Sequence, residues 1–271
     1  MSISNKVLVQ SWKDYSPEIV KINETKLMNL HFSSEEKAVL ADNEIEALKN
    51  KDLKNAVRFL IGLNSINYQF WDLVNGEFIR YQNKGQIGAL GSFAGFVELF
   101  EILEKDNFNT NKIDNDLMTK CFGNISDKER RVEILKESLD VNHFEKVYDI
   151  ISNHIEKEAF NVDLAEKVAQ VLPKSYDDPY LKKIQLALYE ISHVYESKGK
   201  HINCEITVAA DYQLPKVLEG MGILEYSEDL MKKIDAFELI SPESKEEKAI
   251  RAATIIACEK ISYEQIGRAL S

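Results

Sequence analysis

The sequence predicts a mainly α-helical fold, and three observations support this prediction. Apolar residues recur every three or four positions along most of the chain, helix-start signals precede several of these stretches, and Pro (5) and Gly (11) are scarce among 271 residues. This spacing is typical of helices that bury one face. Hydrophobic residues make up 44% and charged residues 29% of the chain, which is the composition of a folded protein. We therefore expect a single helical domain.

Five segments carry the helical pattern most clearly, and each has several apolar residues on one face. They include Leu53 to Leu63, Phe93 to Leu103, Phe144 to Ile151, Leu181 to Tyr195 and Ile250 to Ile261. N-capping residues, Pro at the first helical position or capping boxes predict helix starts at five places. These are Ser16–Pro17, Ser126–Glu129, Asp178–Pro179, Ser241–Pro242 and Ser262–Gln265. Gly199 is predicted to end the fourth helix.

One segment departs from the helical pattern. Phe70–Val74 and Glu77–Tyr81 are short runs rich in aromatic and β-branched residues, and Asn75–Gly76 lies between them. This arrangement predicts a small β-hairpin near residues 70–82 with a type I′ turn. A lone hairpin is marginally stable, so it should pack against the helices. Residues 202–209 are either another extended piece or the approach to a helix.

Charge and composition exclude several classes of protein. Lys and Arg total 34 against 45 Asp and Glu, a net charge of −11, so we expect no nucleic-acid partner. No apolar run reaches the length of a membrane span and no secretory signal is present, so we expect no membrane association. The three separated cysteines indicate a cytoplasmic protein. His and Cys spacing predicts no metal site, and we expect no cofactor. The sequence leaves the oligomeric state open.

The segment around Asp211 is the most informative for chemistry. The apolar run Val208–Ala210 precedes Asp211, and Tyr212 and Pro215 follow it at the start of a predicted helix. Unpaired backbone N–H groups and the positive end of the helix dipole favour a carboxylate at this position. Such an anion could lie beneath a developing cation. Asp211 could equally be an N-cap and nothing more.

The order and spacing of several motifs resemble those of the queuosine salvage proteins, the queuosine 5′-phosphate N-glycosidases. The motifs run from about residue 50 to the C-terminus. They are Asn67–Trp71, Phe122–Gly123 with Arg131 and Leu135, Pro173–Asp178, Lys182–Leu186, Ala210–Pro215 with Val217–Leu218, Gly222–Ser227, and Ile250–Arg251 with Glu259. The chain departs from the family pattern at Gln213 (Arg in the family), Lys216 (Gln), Ala249 (an acid) and the tryptophan-free stretch Gly88–Phe93.

The resemblance implies an enzyme that hydrolyses the N-glycosidic bond of queuosine 5′-phosphate and releases queuine and ribose 5-phosphate. It also implies a fold similar to that of helix-hairpin-helix DNA glycosylases. Residues 51–271 would form the helical glycosidase domain, and residues 1–50 an N-terminal helical segment that acts as a lid or completes the core. The partner would be a small nucleotide. Asp211 would be the catalytic carboxylate, because this reaction passes through an oxocarbenium-like sugar.

The other candidates would bind substrate, and each has a structural alternative. Lys182 would hold the 5′-phosphate or a ribose hydroxyl, or it is a solvated helix lysine. Arg251 would clamp phosphate oxygens, or it pairs with Glu247 one turn earlier. Aromatic side chains would stack on the flat base or pack in the core; these are Tyr68, Phe70 and Trp71. Tyr212 would hydrogen-bond the substrate or cover the helix start.

Two other functions compete with nucleotide hydrolysis. One is a nucleic-acid base glycosylase on a similar fold, which the acidic charge disfavours. The other is a non-catalytic helical nucleotide-binding protein, which the departures at Gln213 and Ala249 leave open.

Overall fold

Helices form most of the part of the chain that the computed structural model describes, which is residues 5–30, 48, 51–75 and 77–266. Within these ranges there are twelve α-helices and one 3₁₀-helix, Thr110–Lys112. The α-helices are α1 (Lys6–Asp14), α2 (Glu24–Met28), α3 (Leu53–Ser65), α4 (Ala89–Glu104), α5 (Asn115–Phe122), α6 (Lys128–Ser138), α7 (Val141–Ile155), α8 (Val162–Val171), α9 (Lys182–Ser197), α10 (Gln213–Gly220), α11 (Glu228–Asp235) and α12 (Lys245–Ile266). The prediction of a mainly helical protein is confirmed.

Eight short strands form four two-stranded sheets in the described ranges. The strands are β1 (Val20–Ile22), β2 (Trp71–Val74), β3 (Glu77–Arg80), β4 (Gln82–Asn83), β5 (Gln86–Ile87), β6 (Ala159–Asn161), β7 (Asn203–Glu205) and β8 (Leu224–Tyr226). The pairs β1–β8, β2–β3 and β4–β5 are antiparallel, and β6–β7 is parallel. The segment 202–209 is therefore partly extended, because its strand β7 pairs with β6, which directly precedes α8.

The predicted hairpin near residues 70–82 is present as β2 and β3, with Val74 opposite Glu77. Asn75 has φ +53°, as the first central position of a type I′ turn requires; Gly76 lies outside the described residues. Tyr81 then donates its backbone N–H to the Phe70 carbonyl at 2.9 Å, which extends the pairing toward the helices.

Helix α3 lies at the centre of the larger hydrophobic core. Every residue of α3 from 56 to 65 is buried. The helices around it contribute large apolar side chains, including Phe96, Phe100, Phe122, Phe144 and Leu188. A Cβ atom at Gly62 would lie 2.6 Å from the Phe96 ring and 2.7 Å from Leu139, so only glycine allows the helices to approach this closely.

A second hydrophobic core joins the two ends of the chain. Strand β1 pairs with β8, and Val20, Ile22 and Leu27 pack with buried residues of α10 to α12. Residues 5–30 thus pack on the C-terminal helices, while residues 31–47 lie outside the described part of the chain. The division of the chain at residue 50 stays a prediction. None of the helices in the described ranges is long and apolar enough to cross a membrane.

Two of the predicted helix starts, at Ser16–Pro17 and Ser262–Gln265, are wrong, and two are displaced, because α6 begins at Lys128 after Asp127 and α12 begins at Lys245. The Ser16 carbonyl accepts the N–H groups of residues 19 and 20 in a turn that leads into β1. The Ser126 hydroxyl donates to the Gln69 carbonyl at 3.1 Å, so it does not cap α6. Helix α12 is capped by Ser244 instead of Ser241, and it continues through residues 262–265. Gly199, with φ +83°, follows the end of α9 as predicted.

Arg131 on α6 connects the end of α3 to the hairpin. This arginine is fully buried, and its guanidinium donates to the carbonyls of Ser126 (2.8 Å), Ile66 (2.5 Å), Tyr68 (2.7 Å) and Gln69 (3.2 Å). Its guanidinium carbon also lies 4.0 Å from the centre of the Tyr68 ring. Three of these four bonds go to carbonyls of the non-helical segment 66–69, so the conformation of this segment depends on Arg131.

We predict that Arg131→Gln lowers the free energy of unfolding by about 3 kcal/mol, because it leaves buried carbonyls without donors. Arg130→Gln is the matched control, since the neighbouring arginine is exposed and pairs with Asp177 at 2.7 Å; it should cost at most about 1 kcal/mol. Urea denaturation followed by circular dichroism measures both. Equal losses in the two variants would contradict the role given to Arg131.

Candidate active site

Asp178 organises the start of α9. Its Oδ2 accepts the backbone N–H of Lys182 at 2.8 Å, and its Oδ1 accepts that of Tyr180 at 3.1 Å. Arg251 on α12 donates to the same Oδ2 at 2.7 Å and to Glu247 at 3.2 Å, and its guanidinium lies 4.5 Å from the centre of the Tyr180 ring. The Asp178 carboxylate therefore fixes the start of α9 and holds α12 against it.

Asp178 and Arg251 each favour the charged form of the other. Burial alone would raise the pKa of Asp178, but Arg251 and the two backbone N–H groups outweigh burial and lower it. Burial alone would lower the pKa of Arg251, but the carboxylates of Asp178 and Glu247 raise it. Both groups are thus held in their charged forms.

Lys182 is the first residue of α9 and is half-buried. Its Nζ donates to the Asn67 carbonyl at 3.2 Å. Burial lowers the pKa of Lys182. Three carboxylates oppose this shift, Asp211 most strongly, then Asp178 and Glu190. The lysine is therefore within electrostatic reach of acids from three separate parts of the chain.

Asp211 lies at the start of α10 and is half-buried. Its Oδ1 accepts the backbone N–H groups of Gln213 at 2.8 Å and Leu214 at 3.4 Å. The N-capping role that the sequence allowed is thus real. These bonds involve one carboxylate oxygen, which orients the group while its charge acts on Lys182.

A small hollow opens beside this group of charges. It is lined by Leu63, Asn67, Phe70, Ala89, Ser92 and Glu190. The space in it that the centre of a water molecule can occupy is about 20 Å³. Ala89 is exposed and Asn67 half-buried, whereas the other four residues are buried, so the mouth lies on the side of Ala89 and Asn67. The hollow has room for about one water-sized group.

Two asparagines lie next to Glu190, the acidic residue that lines this hollow. Asn64 Nδ2 donates to Glu190 Oε2 at 2.6 Å and to the Leu60 carbonyl at 3.1 Å. Asn67 Nδ2 donates to Asn64 Oδ1 at 3.4 Å. Because the Asn67 carbonyl also accepts the Lys182 ammonium, Asn67 joins the hollow to the charged group around Lys182.

The predicted aromatic residues take different positions. Phe70 is buried, lines the hollow and packs against Tyr81 with ring centres 6.2 Å apart. Trp71 is half-buried and packs on Phe78 within the hairpin at 5.5 Å. Tyr212 is 51% exposed. Of these three predicted residues, Phe70 alone borders the hollow.

Tyr68 lies in a cationic environment. Its hydroxyl donates to Asp127 at 3.0 Å, and its ring lies 4.0 Å from the Arg131 guanidinium and 5.3 Å from Lys183 Nζ. Burial raises the pKa of Tyr68 above its ordinary value. Burial also lowers the pKa of Lys183 to about 8, and its ammonium donates to the Ser65 carbonyl at 3.1 Å. These contacts hold Tyr68 behind the segment that carries Asn67 and Phe70.

The sequence analysis selected Asp211, Lys182 and Arg251. In the structure, the Lys182 backbone and Arg251 both donate to Asp178 at the start of α9, and the charge of Asp211 acts on Lys182. It missed Asp178, Asn64, Ser92 and Glu190. The only local signal for Glu190 was an acid within the apolar stretch 186–195. Among the described residues, no group of three or more His, Cys, Asp or Glu side chains is arranged to hold a metal ion. A larger surface hollow of about 120 Å³ near α11 and α12 contains none of the predicted site residues.

Comparison with known proteins gives one family. A family model described as "Queuosine salvage protein" matches residues 47–269. A Dictyostelium discoideum protein named queuosine 5′-phosphate N-glycosylase/hydrolase is 22% identical over 277 residues, covering 93% of this chain and 84% of that protein. Proteins with the same name from Mus musculus and Sphaerobacter thermophilus match locally. The Mus musculus protein is 34% identical over 30% of this chain and 25% of its own length. The Sphaerobacter thermophilus protein is 44% identical over 21% of this chain and 18% of its own length.

We predict that Asp178→Asn lowers the free energy of unfolding by about 2–4 kcal/mol at pH 7, because it leaves Arg251 without its buried partner. The folded state lowers the pKa of Asp178, so the carboxylate contributes its stability above the unfolded pKa of about 3.8. This contribution is lost as the pH falls through the lower, folded pKa. The difference between wild type and variant should therefore shrink below about pH 4.

Asp177→Asn is the matched control for this measurement. The adjacent carboxylate is 45% exposed, so its removal should cost within about 1 kcal/mol at pH 7. Urea denaturation at a series of pH values measures all three proteins. A loss in Asp178→Asn that does not change with pH would contradict the ion pair.

Proposed function

This chain belongs to the queuosine salvage protein family, and from that premise we propose that it hydrolyses the N-glycosidic bond of queuosine 5′-phosphate. The products are queuine and ribose 5-phosphate. The observation that carries the proposal is a half-buried carboxylate, Asp211, whose charge acts on the half-buried Lys182. The Lys182 ammonium donates to the carbonyl of Asn67, which lines a hollow. The relatives named queuosine 5′-phosphate N-glycosylase/hydrolase support the substrate.

Asp211 is the proposed catalytic residue. As the bond between C1′ and the base nitrogen breaks, positive charge develops on the sugar, and an anion held close to it stabilises that charge. Water then supplies the hydroxyl group at C1′, and a proton goes to the departing base. The N–H groups of Gln213 and Leu214 keep the Asp211 carboxylate oriented, so little reorganisation is needed during the reaction.

Lys182 and Arg251 are the proposed contacts to the 5′-phosphate and the ribose. Lys182 is a half-buried point charge that a phosphate oxygen or hydroxyl can approach. Arg251 uses two of its nitrogens for Asp178 and Glu247. Its Nε has no acceptor among the described residues. We therefore propose that Arg251 acts through its charge and Nε, and not as a free bidentate clamp.

Tyr68, Phe70, Trp71 and Tyr212 are proposed contacts for the base and its substituents. Phe70 borders the hollow, and an aromatic face there suits a flat heterocycle. Tyr212 is exposed next to Asp211, where it would close over bound substrate. The family departures at Gln213 and Lys216 are both exposed positions of α10, and Ala249 is buried in the second core.

Three further parts of the proposal concern the whole chain. We propose that residues 51–271 form the glycosidase domain with a fold like that of helix-hairpin-helix DNA glycosylases, and that residues 1–50 are an N-terminal segment. We propose a free nucleotide as substrate and no nucleic-acid partner, because the net charge is −11. We propose a cytoplasmic location, supported by the three free cysteines.

The reaction is tested by incubating the protein with queuosine 5′-phosphate and separating the products by liquid chromatography. We expect release of queuine, and no base release from a queuosine-containing oligonucleotide. Base release from the oligonucleotide alone would favour a nucleic-acid glycosylase. Binding of the nucleotide without release would favour a non-catalytic protein.

Asp211→Asn tests the catalytic residue. We expect the rate of queuine release to fall by about a hundredfold or more, since the variant loses the anion opposite the developing charge. The dissociation constant for queuosine 5′-phosphate, measured by calorimetry, should change much less, because the amide keeps the capping bonds. Asp229→Asn, an exposed acid in the first turn of α11, is the control and should keep full activity. Full activity of Asp211→Asn would remove Asp211 from the mechanism.

A further inference from the structure

A buried glutamine ties together the two segments that carry Lys182 and Asp211. Gln185 on α9 is fully buried. Its Nε2 donates to the Tyr180 carbonyl at 3.0 Å, and its Oε1 accepts the backbone N–H of Thr207 at 2.8 Å and the hydroxyl of Thr207 at 3.0 Å. Tyr180 lies shortly before Lys182 in the chain, and Thr207 lies shortly before Asp211. One side chain therefore holds both segments.

The chemistry of these bonds fixes the orientation of the amide. A backbone N–H can only donate a hydrogen bond and a carbonyl can only accept one, so the Gln185 oxygen must face Thr207 and its nitrogen must face Tyr180. Glutamate lacks the donor, and methionine is at most a weak acceptor. Because Gln185 and Thr207 are both buried, leaving these groups unpaired would cost folding free energy. The three bonds therefore keep the two segments together.

Apolar packing brings the same two segments together. Ala210 directly precedes Asp211, and it belongs to one buried cluster with Tyr180. Leu181, which directly precedes Lys182, is partly buried against this cluster. The start of α9 and the approach to α10 are thus joined by buried side chains as well as by the glutamine.

We propose that Gln185 is a positioning residue for the hydrolysis, and this inference rests on the proposed function. The hydrogen bonds of Asp211 to the start of α10 are local, so they orient the carboxylate only within its own segment. Gln185 holds that segment against the start of α9 and thereby fixes Asp211 relative to Lys182. Because Gln185 is fully buried, it acts through Asp211 and not through contact with the substrate. A displacement of about 1 Å in a catalytic group lowers a rate by up to about a hundredfold.

Gln185→Met tests this role, because it keeps the approximate volume of the side chain but loses the amide. We expect kcat for queuosine 5′-phosphate to fall by about tenfold or more while KM changes by less than about threefold. Ile191→Ala is the matched control, since it removes buried apolar contacts of the same helix in the larger core. Its kcat should stay within about twofold of the wild type, at a temperature at which circular dichroism shows all variants to be folded.

Thr207→Val keeps the inference testable if Gln185→Met does not fold. It removes the hydroxyl bond to Gln185 but keeps the backbone N–H bond and the shape of the side chain. We expect kcat to fall by about three- to tenfold, the equivalent of one buried hydrogen bond. Thr207→Ser retains the hydroxyl and should restore about half or more of the wild-type kcat.

A double-mutant cycle separates positioning from a general loss of structure. In the Asp211→Asn background, Gln185→Met or Thr207→Val should lower the remaining kcat by less than about twofold, because the group that Gln185 positions has already lost its charge. A purely structural role would lower kcat equally in both backgrounds. Hydrogen exchange followed by mass spectrometry is a second measurement that needs no substrate. Residues 207–214 should exchange about tenfold faster in Gln185→Met than in Ile191→Ala.

The outcomes distinguish this inference from the proposed function. Faster exchange of residues 207–214, with a fall in kcat that disappears in the Asp211→Asn background, supports both. If the wild type releases queuine, then unchanged exchange, an unchanged kcat or an equal fall in both backgrounds overturns the positioning role and leaves the proposed function intact. If the wild type releases no queuine, the proposed function is overturned, and the exchange of residues 207–214 alone decides whether Gln185 holds the two segments together.

Discussion

The half-buried ammonium of Lys182 is the constraint on which the candidate site depends. A cation in this position loses hydration, and burial lowers its pKa. Acids must therefore lie close enough to favour the charged form. The chain supplies them from three places, at Asp178 before α9, at Glu190 two turns along α9 and at Asp211 before α10. Acids from segments that are distant in sequence thus oppose the effect of burial on the pKa of this one lysine.

Local hydrogen bonds fix each of these acids before any substrate arrives. Asp178 is held by Arg251 and two backbone N–H groups, and Asp211 by the first N–H groups of α10. Asn64 on the central helix orients Glu190. On the opposite side, Arg131 holds the segment that presents the Asn67 carbonyl to Lys182. The site is therefore built on the helical framework, which favours a fixed geometry.

The sequence predicted the helices and the hairpin because their signals are local. The apolar spacing of α3 and α9 and the Asn75–Gly76 turn depend on neighbours a few positions away. The predicted capping residue was wrong where a tertiary partner took the capping group, as the Gln69 carbonyl does with the Ser126 hydroxyl. Asp211 could be selected because a helix start and family-like motifs surround it. Ser92 and Glu190 could not, since only the packing of α4 and α9 places them on the same hollow, and Asn64 is joined to it through Glu190.

The two interpretations of Asp211 that the sequence left open are compatible. An N-capping carboxylate accepts backbone N–H groups, and these bonds fix its direction. A catalytic anion needs a fixed direction, because a carboxylate that is free to turn would stabilise a developing cation poorly. Asp211 is bound through Oδ1, while its charge reaches Lys182. The capping role is therefore compatible with the catalytic role that we propose for Asp211, and a cap at this position is no argument against catalysis.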